Sequence, residues 1–375
     1  MATTQEKRVA PLELFFDLVF VFAITQVTAL MSHDPHWDGL GHGMLVLASL
    51  WWAWAAYGWL TNYIAAEEDR ERLLMLAVMG AFLVAALATP EAFGDHALLF
   101  AIAYAVARWL HIFIFAEAND DVDAGQAIAR LARTALPAPL LLIVGAFLGS
   151  PAQEIVWVVA LSLDILGPYV FGIHGFRVSP AHFAERFSLI VIIALGESIV
   201  AIGTGIHELD AGTVGAALLG LVVAFGLWWA YFDVVAIVAE RRFRQSEGYA
   251  RLRLARDSYS YLHLPMIAGI VLLALGLKKT LAHVDEPLDT VPAVALFGGI
   301  ALYYAGHVGF RLRNVRTLNR PRSVAIVVCL ALIPVATEVD AIVAVALASA
   351  VTSSVIAYEA LRYAEARDRI RHETA

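Results

Sequence analysis

Charge is scarce in this chain, and cations are nearly missing from every second gap between its apolar runs. Only 16% of the 375 residues are charged, against 60% hydrophobic, and the mean hydropathy is +0.72. A soluble domain needs roughly 25% charge to cover its surface. A soluble enzyme or binding module is therefore excluded, and the chain reads as an all-α integral membrane protein. The single cysteine, Cys329, lies inside an apolar run. It rules out an intrachain disulfide and leaves no redox compartment to infer. No HExxH, nucleophile elbow or phosphate-cradling glycine loop is present, so neither ATP hydrolysis nor a familiar intramembrane protease is indicated. The net charge of -8 says little about partners, because acids and bases are segregated along the chain. No small-residue cleavage site follows Lys7 and Arg8, so the first apolar run is expected to be an uncleaved span.

The apolar runs themselves set the topology. About 20 apolar residues cross roughly 30 Å of hydrocarbon. Twelve runs meet this: 12–31, 40–63, 72–89, 97–116, 129–148, 153–173, 183–206, 212–239, 257–277, 291–311, 323–339 and 341–360. The last two are short and could form one bent hairpin around Glu338 to Asp340. Of the 26 Lys and Arg residues, 23 fall in the tails and alternate gaps: Lys7 and Arg8; Arg70 and Arg72; Arg130 and Arg133; Arg177 and Arg186; and the clusters Arg241 to Arg256, Arg311 to Arg322 and Arg362 to Arg371. Short basic loops stay in the cytoplasm. The expectation is a multi-pass protein of the bacterial cytoplasmic (inner) membrane with both termini, 1–11 and 361–375, inside.

The runs repeat in order. Span 1 reads Glu13-Leu-Phe-Phe-Asp17-Leu-Val-Phe, and span 7 reads Glu185-Arg-Phe-Ser188-Leu-Ile-Val-Ile-Ile-Ala-Leu-Gly-Glu197-Ser198. Span 2 has Leu50-Trp-Trp-Ala-Trp54 and span 8 has Leu227-Trp-Trp-Ala-Tyr231. His111 follows Tyr104 in span 4, and His307 follows Tyr303 and Tyr304 in span 10. Three matches in one order indicate two six-helix repeats, 1–177 and 178–375. An even number of crossings makes the repeats parallel.

The paired segments Glu13-Leu-Phe-Phe-Asp17 and Glu185-Arg-Phe-Ser188 through Glu197-Ser198 resemble the two hallmark segments of the bacterial low-temperature-requirement A (LtrA) proteins, and the likeness runs over the whole chain. The resemblance implies a polytopic membrane protein tied to growth in the cold, and supplies no molecular activity. Span 1 is also similar in style to potassium channels built from six-helix repeats, whose first helix carries Phe-Ser-Asp and lines the pore. Here Phe16 stands for the Ser, and in span 7 Leu189 stands for the Asp.

Ionisable groups inside the spans carry the functional signal, since a mid-bilayer charge costs at least about 2.5 kcal/mol. Counting about 1.5 Å per residue, Asp17, His111, Asp233 and His263 lie roughly 8–9 Å from the basic ends and could share a layer. Arg108 and Asp164 lie at about 13 Å and form the natural structural ion pair. Glu197 is deeper, between Gly196 and Ser198, and is the leading site for a proton or cation. With it, Asp17, Glu13, Glu185, Ser188, His111, Asp233 and His307 are the transport or ion-binding candidates; no catalytic residue is assigned. Glu13 and Asp17 are equally read as hydrated or capping groups near the interface, and His111 and His307 as carbonyl-bonded helix-end histidines. Gly196, Gly203 and Gly205 are expected to seat span 7 centrally by close packing. The loop Ser32 to Asp38 with His42 reads as solvated rather than metal-binding, and no cofactor motif is present. The expected function is movement of a small solute or ion, coupled to protons through Glu197 and the Asp17 layer. The alternatives are a cation channel lined by spans 1 and 7, an intramembrane lipid-acting enzyme, which is the less favoured class, and a non-catalytic scaffold. Expected partners are membrane lipids, the small solute or ion, and a second copy of the chain as a homodimer. Nothing points to nucleic acid.

Overall fold

A computed structural model describes residues 8–64, 69–118, 122–365 and 367–368. The tails assigned to the cytoplasm lie largely outside the described residues. Helix accounts for nearly all of the rest, and the described residues hold no β-strand, only a bridge between Pro287 and Asp340. The helices are α1 Pro11–His33, α2 Trp37–Leu60, α3 Asp69–Ala88, α4 Ala97–Glu117, α5 Val122–Ala135, α6 Pro137–Gly145, α7 Ala152–Val170, α8 Pro180–Gly205, α9 Ala211–Phe232, α10 Val235–Arg244, α11 Gly248–Leu254, α12 His263–Ala282, α13 Thr290–Ala293, α14 Gly299–Val315, α15 Arg320–Ala336 and α16 Ala341–Arg362.

Joined across their breaks, eleven segments among the described residues are long and apolar enough to cross a membrane. The run 323–339 is the exception. It forms α15, 17 residues long, which at 1.5 Å per residue spans only about 25 Å. Its chain turns at Thr337 to Asp340 before α16, so the last two runs are separate helices. Breaks follow local chemistry. Pro137 has no amide hydrogen to continue α5, and a new helix starts there. Asp210 caps α9 by accepting from the Thr213 amide at 2.7 Å, and that amide holds the Asp210 carboxyl below the usual carboxylate range. Wide π-type turns at Ala255–Tyr261 and Val294–Gly298 join α11 to α12 and α13 to α14 without ending either rod.

The chain forms two compact units, one from residues 8–33, 38–186 and 247–255, the other from 34–37, 187–246 and 256–368. In the first, α3 packs on α1 and α4, and α4 on α5 and α6. Phe16 of α1 meets Phe82 edge-on at 5.2 Å and Tyr57 at 5.3 Å. In the second, α12 lies against α9, α14 and α16, and every residue from Met266 to Leu277 is buried. A helix that is apolar and covered all round belongs at a core. Span 7, by contrast, leaves Gly196 and Gly203 exposed with open space where a Cβ would stand, and only Gly205 meets a neighbour, the Lys278 backbone. The central helix of its unit is α12, because its close-packing glycines face another helix. A Cβ on Gly269 would lie 2.5 Å from the Gly299 oxygen and 2.6 Å from the Tyr303 nitrogen.

Rows of exposed apolar side chains cover the outward helix faces, among them Leu73, Leu76, Leu83 and Leu87 on α3 and Leu218, Leu221, Val222 and Phe225 on α9. Surfaces of this kind mark lipid contact. Gly269→Leu is expected to force α12 from α14 and to lower the unfolding midpoint of the detergent-solubilised protein, at a cost of about 1–3 kcal/mol or more. An unchanged midpoint contradicts the close contact.

Candidate functional site

Residues four apart on a helix share a face. Glu13 and Asp17 of α1 form one such pair, His182 and Arg186 of α8 another, and the two pairs interlock. His182 Nε2 lies 2.9 and 3.0 Å from the two Glu13 carboxylate oxygens. Arg186 donates through Nη1 to Glu13 at 2.9 Å and through Nη2 to Asp17 Oδ1 at 2.8 Å. Trp54 of α2 donates its indole N–H to the same Asp17 oxygen at 2.8 Å, and its ring lies 5.6 Å from the Arg186 guanidinium. All four ionisable side chains are 0% exposed.

Their charge does not balance without a further proton. Two carboxylates face one guanidinium, which stays charged. His182 turns Nε2 toward carboxylate oxygens, which only accept, so that nitrogen carries a hydrogen. A second proton, on His182 Nδ1 or on a carboxylate, makes the cluster neutral. Without it one net negative charge is buried, which is costly in a low dielectric. Asp17 Oδ2, His182 Nδ1 and Arg186 Nε are buried with no hydrogen-bond partner among the described residues. Of these, Asp17 Oδ2 and His182 Nδ1 are the two atoms able to take a further hydrogen.

His182 was no candidate on sequence, and Arg186 counted as a loop cation. Both stand in the first two turns of α8, buried. The legible signal was the i,i+4 spacing of His182 and Arg186, which mirrors that of Glu13 and Asp17. It was masked by the apolar window, which opens only at Phe183. Glu13 and Asp17 are not hydrated, since both are sealed from water, but Glu13 also caps the start of α1, accepting from the Ala10 amide at 3.4 Å. Glu185 points outward instead, accepting from the Val9 amide at 3.2 Å.

The remaining candidates are distributed over separate contacts. Arg108 Nη2 reaches both oxygens of Asp164, at 2.8 and 2.7 Å, with both side chains buried. His111 Nε2 lies 3.0 Å from the Ala56 oxygen, and Tyr57 donates to the Ala107 oxygen at 2.7 Å. In the second unit, His263 Nδ1 lies 3.0 Å from the Ser258 carbonyl, so it carries the hydrogen and Nε2 accepts from Tyr231 at 2.9 Å. Ser188 is bonded to Tyr231 and must donate to it. Asp233 pairs with Arg367 at 2.7 Å. His307 Nδ1 accepts from Arg322, whose guanidinium also binds Glu359. The Asp17, His111, Asp233 and His263 layer is thus four different contacts, because each group found a partner on its own neighbouring helix. Glu197 is 2% exposed and Ser198 fully buried. Glu197 stands eleven residues beyond Arg186, within about 20° on the same face of α8 and about 16 Å along it. Among the described residues no group of three His, Cys, Asp or Glu is placed to hold a metal ion.

Arg108→Ala strands a buried carboxylate and is expected to cost roughly 3–5 kcal/mol, while Arg108→Met combined with Asp164→Leu recovers most of that loss. Thermal unfolding of the single and double variants checks it. A single variant as stable as the parent contradicts the pairing.

Comparison with known proteins places the chain in a family. Residues 8–357 match the model of the bacterial low temperature requirement A protein (LtrA). The chain is 32% identical over 331 residues to an uncharacterized protein of Rhizobium meliloti (strain 1021), an alignment that covers 84% of this chain and 80% of that one. With residues 8–357, nearly its whole length, matched, the chain belongs to the LtrA family of polytopic membrane proteins.

Proposed function

We propose that this protein moves a small solute or ion across the bacterial cytoplasmic membrane and that the Glu13, Asp17, His182 and Arg186 cluster exchanges the coupling proton. The observation that carries the reading is the proton count. Four buried ionisable groups reach neutrality only with one proton that no fixed donor supplies, and unpartnered atoms stand ready to take it. A proton arriving at Asp17 Oδ2 removes the anion that holds Arg186 Nη2 and loosens α1 from α8. That is the kind of bistable contact that a transport cycle requires. Glu197, on the Arg186 face of α8, is the second station.

The same reading places both termini in the cytoplasm and divides the chain into parallel repeats, 1–177 and 178–375. Alternate-gap cations support the orientation. The packing order supports the repeat: third span on fourth, fourth on fifth and fifth on sixth recur as α12 on α14, α14 on α15 and α15 on α16. A tyrosine also ties the second and fourth spans of each set, through Tyr57 to the Ala107 oxygen and Tyr303 to the Leu227 oxygen.

Purified protein in liposomes loaded with a pH-sensitive dye tests the coupling. The wild type is expected to dissipate an imposed pH gradient. Asp17→Asn keeps the shape and still accepts from Trp54, and it is expected to abolish proton movement, as is Glu197→Gln, with helix content preserved. Equal proton flux in both variants and the wild type contradicts proton exchange here, and ion current independent of pH in all three favours the channel.

A further inference from the structure

A cavity of about 490 Å³ lies within the first unit, between residues 174–178, which belong to the linker from α7 to α8, and the start of α11. Ligand pockets run from roughly 300 to 1,000 Å³. His174 of one wall stacks on Tyr249 of the other, with ring centroids 4.0 Å apart and planes within 4°. Arg177 and Arg251 bring one guanidinium from each wall, and no Asp or Glu is among the described lining residues. Two arginines of α5 stand beside the same linker: Arg130 donates to the His174 carbonyl, and Arg133 lies 5.3 Å over the Phe171 ring. Over α5, residues 171–179 and residues 247–254, five arginines meet two acids, Asp123 and Glu247.

The linker wall is held in place at several points. Ile173 and Val178 are buried, and the Phe176 ring meets Trp59 edge-on at 5.8 Å and Phe115 at 5.4 Å. The Arg177 amide donates to the Tyr63 hydroxyl, and the Ser179 amide donates to Asn62 Oδ1 at 2.9 Å. Gly175 has a φ of +88°, and a Cβ there would stand 2.5 Å from the Asp123 oxygen, so glycine is what lets the linker lie against α5. With its apolar side chains and amides tied inward, the linker leaves the His174 and Arg177 side chains exposed. The cations of the cavity therefore sit on a fixed frame.

We propose that this cavity seats the phosphate of an anionic glycerophospholipid whose acyl chains run along α7. The guanidinium fork matches phosphate oxygens, and basic pockets at the ends of membrane helices are where anionic headgroups are held. A lipid is favoured over a soluble phosphate ester by what precedes the linker. Leu163, Leu166, Tyr169 and Val170 of α7 are exposed, a surface that in a membrane protein faces acyl chains. That helix runs directly into the cavity wall, since a Cβ on Gly172 would stand 3.4 Å from the His174 ring. Headgroup seat and acyl surface are thus successive parts of one stretch of chain. A zwitterionic headgroup carries an ammonium beside its phosphate, which two guanidiniums without a lining acid disfavour. The site stands whether or not the Glu13 cluster exchanges a proton.

Native mass spectrometry of the delipidated full chain in detergent, titrated with phosphatidylglycerol or with phosphatidylcholine of the same acyl chains, tests it. One phosphatidylglycerol is expected to be retained saturably, about tenfold more tightly than phosphatidylcholine. Arg177→Gln and Arg251→Gln should each weaken that retention about fivefold, the loss of one arginine's attraction to an anionic lipid. Arg253→Gln, on α11 but outside the lining, should leave it unchanged. Arg177 and Arg253 are both exposed, so replacing either leaves the fold intact and their comparison decides even if Arg251→Gln misfolds. Equal retention of the two lipids, no retention of either, or a loss in Arg253→Gln as large as in Arg177→Gln overturns the proposal. So does displacement of phosphatidylglycerol by an equal concentration of glycerol phosphate, since the ligand is then a soluble phosphate ester.

Discussion

A carboxylate taken out of water must find a cation, and in this protein that demand is concentrated where α1 meets the first turns of α8. Glu13 and Asp17 cannot be buried unless His182 and Arg186 are brought to them, so the register of the two helices is set to a single turn. Trp54 must then face α1 to donate to Asp17, and Phe16, one residue before Asp17, is carried into the Tyr57 and Phe82 layer. The aromatic core of this unit is thus arranged around an ionic one. A one-residue slip of α1 would rotate both carboxylates by about 100° away from their partners.

The second hallmark segment solves the matching problem with neutral groups. Where span 1 has Phe16 and Asp17, span 7 has Ser188 and Leu189; where span 2 has Trp54, span 8 has Tyr231. The result is a Ser188, Tyr231 and His263 chain ending on the Ser258 carbonyl. The ionic and neutral versions explain why Arg186 is directed to the carboxylates of span 1, since its own segment has no acid at the position that corresponds to Asp17. They also locate where the two segments differ in chemistry.

Much of this was written in the sequence. Hydropathy and alternate cations marked the spans, and eleven of the twelve runs form helices able to cross a membrane. Depth alone brought Arg108 and Asp164 to one level, and their side chains touch. What depth could not give was partner choice. Residues at equal depth on helices that are not neighbours do not meet, which is why Asp17, His111, Asp233 and His263 have four separate contacts. Small residues misled for a related reason: Gly196 and Gly203 permit a close approach but do not require one, and the approach occurs between Gly269 of α12 and Gly299 of α14. Arg186 was hidden by its position at the edge of an apolar window, where a cation is ordinarily counted as loop.

The central claim is that the buried cluster holds one proton that comes and goes. Nitrogen-15 magnetic resonance of histidine-labelled protein in lipid, with His182 assigned by comparison with His182→Gln, reads that proton at Nδ1. Transfer of the protein from H2O to D2O is expected to replace the cluster's further hydrogen by deuterium, at His182 Nδ1 or, read by the infrared carbonyl stretch, at the Glu13 or Asp17 carboxyl. A cluster with no hydrogen at His182 Nδ1 and both carboxyls ionised, or one whose hydrogen does not exchange, would contradict the account and leave the cluster as a structural clamp.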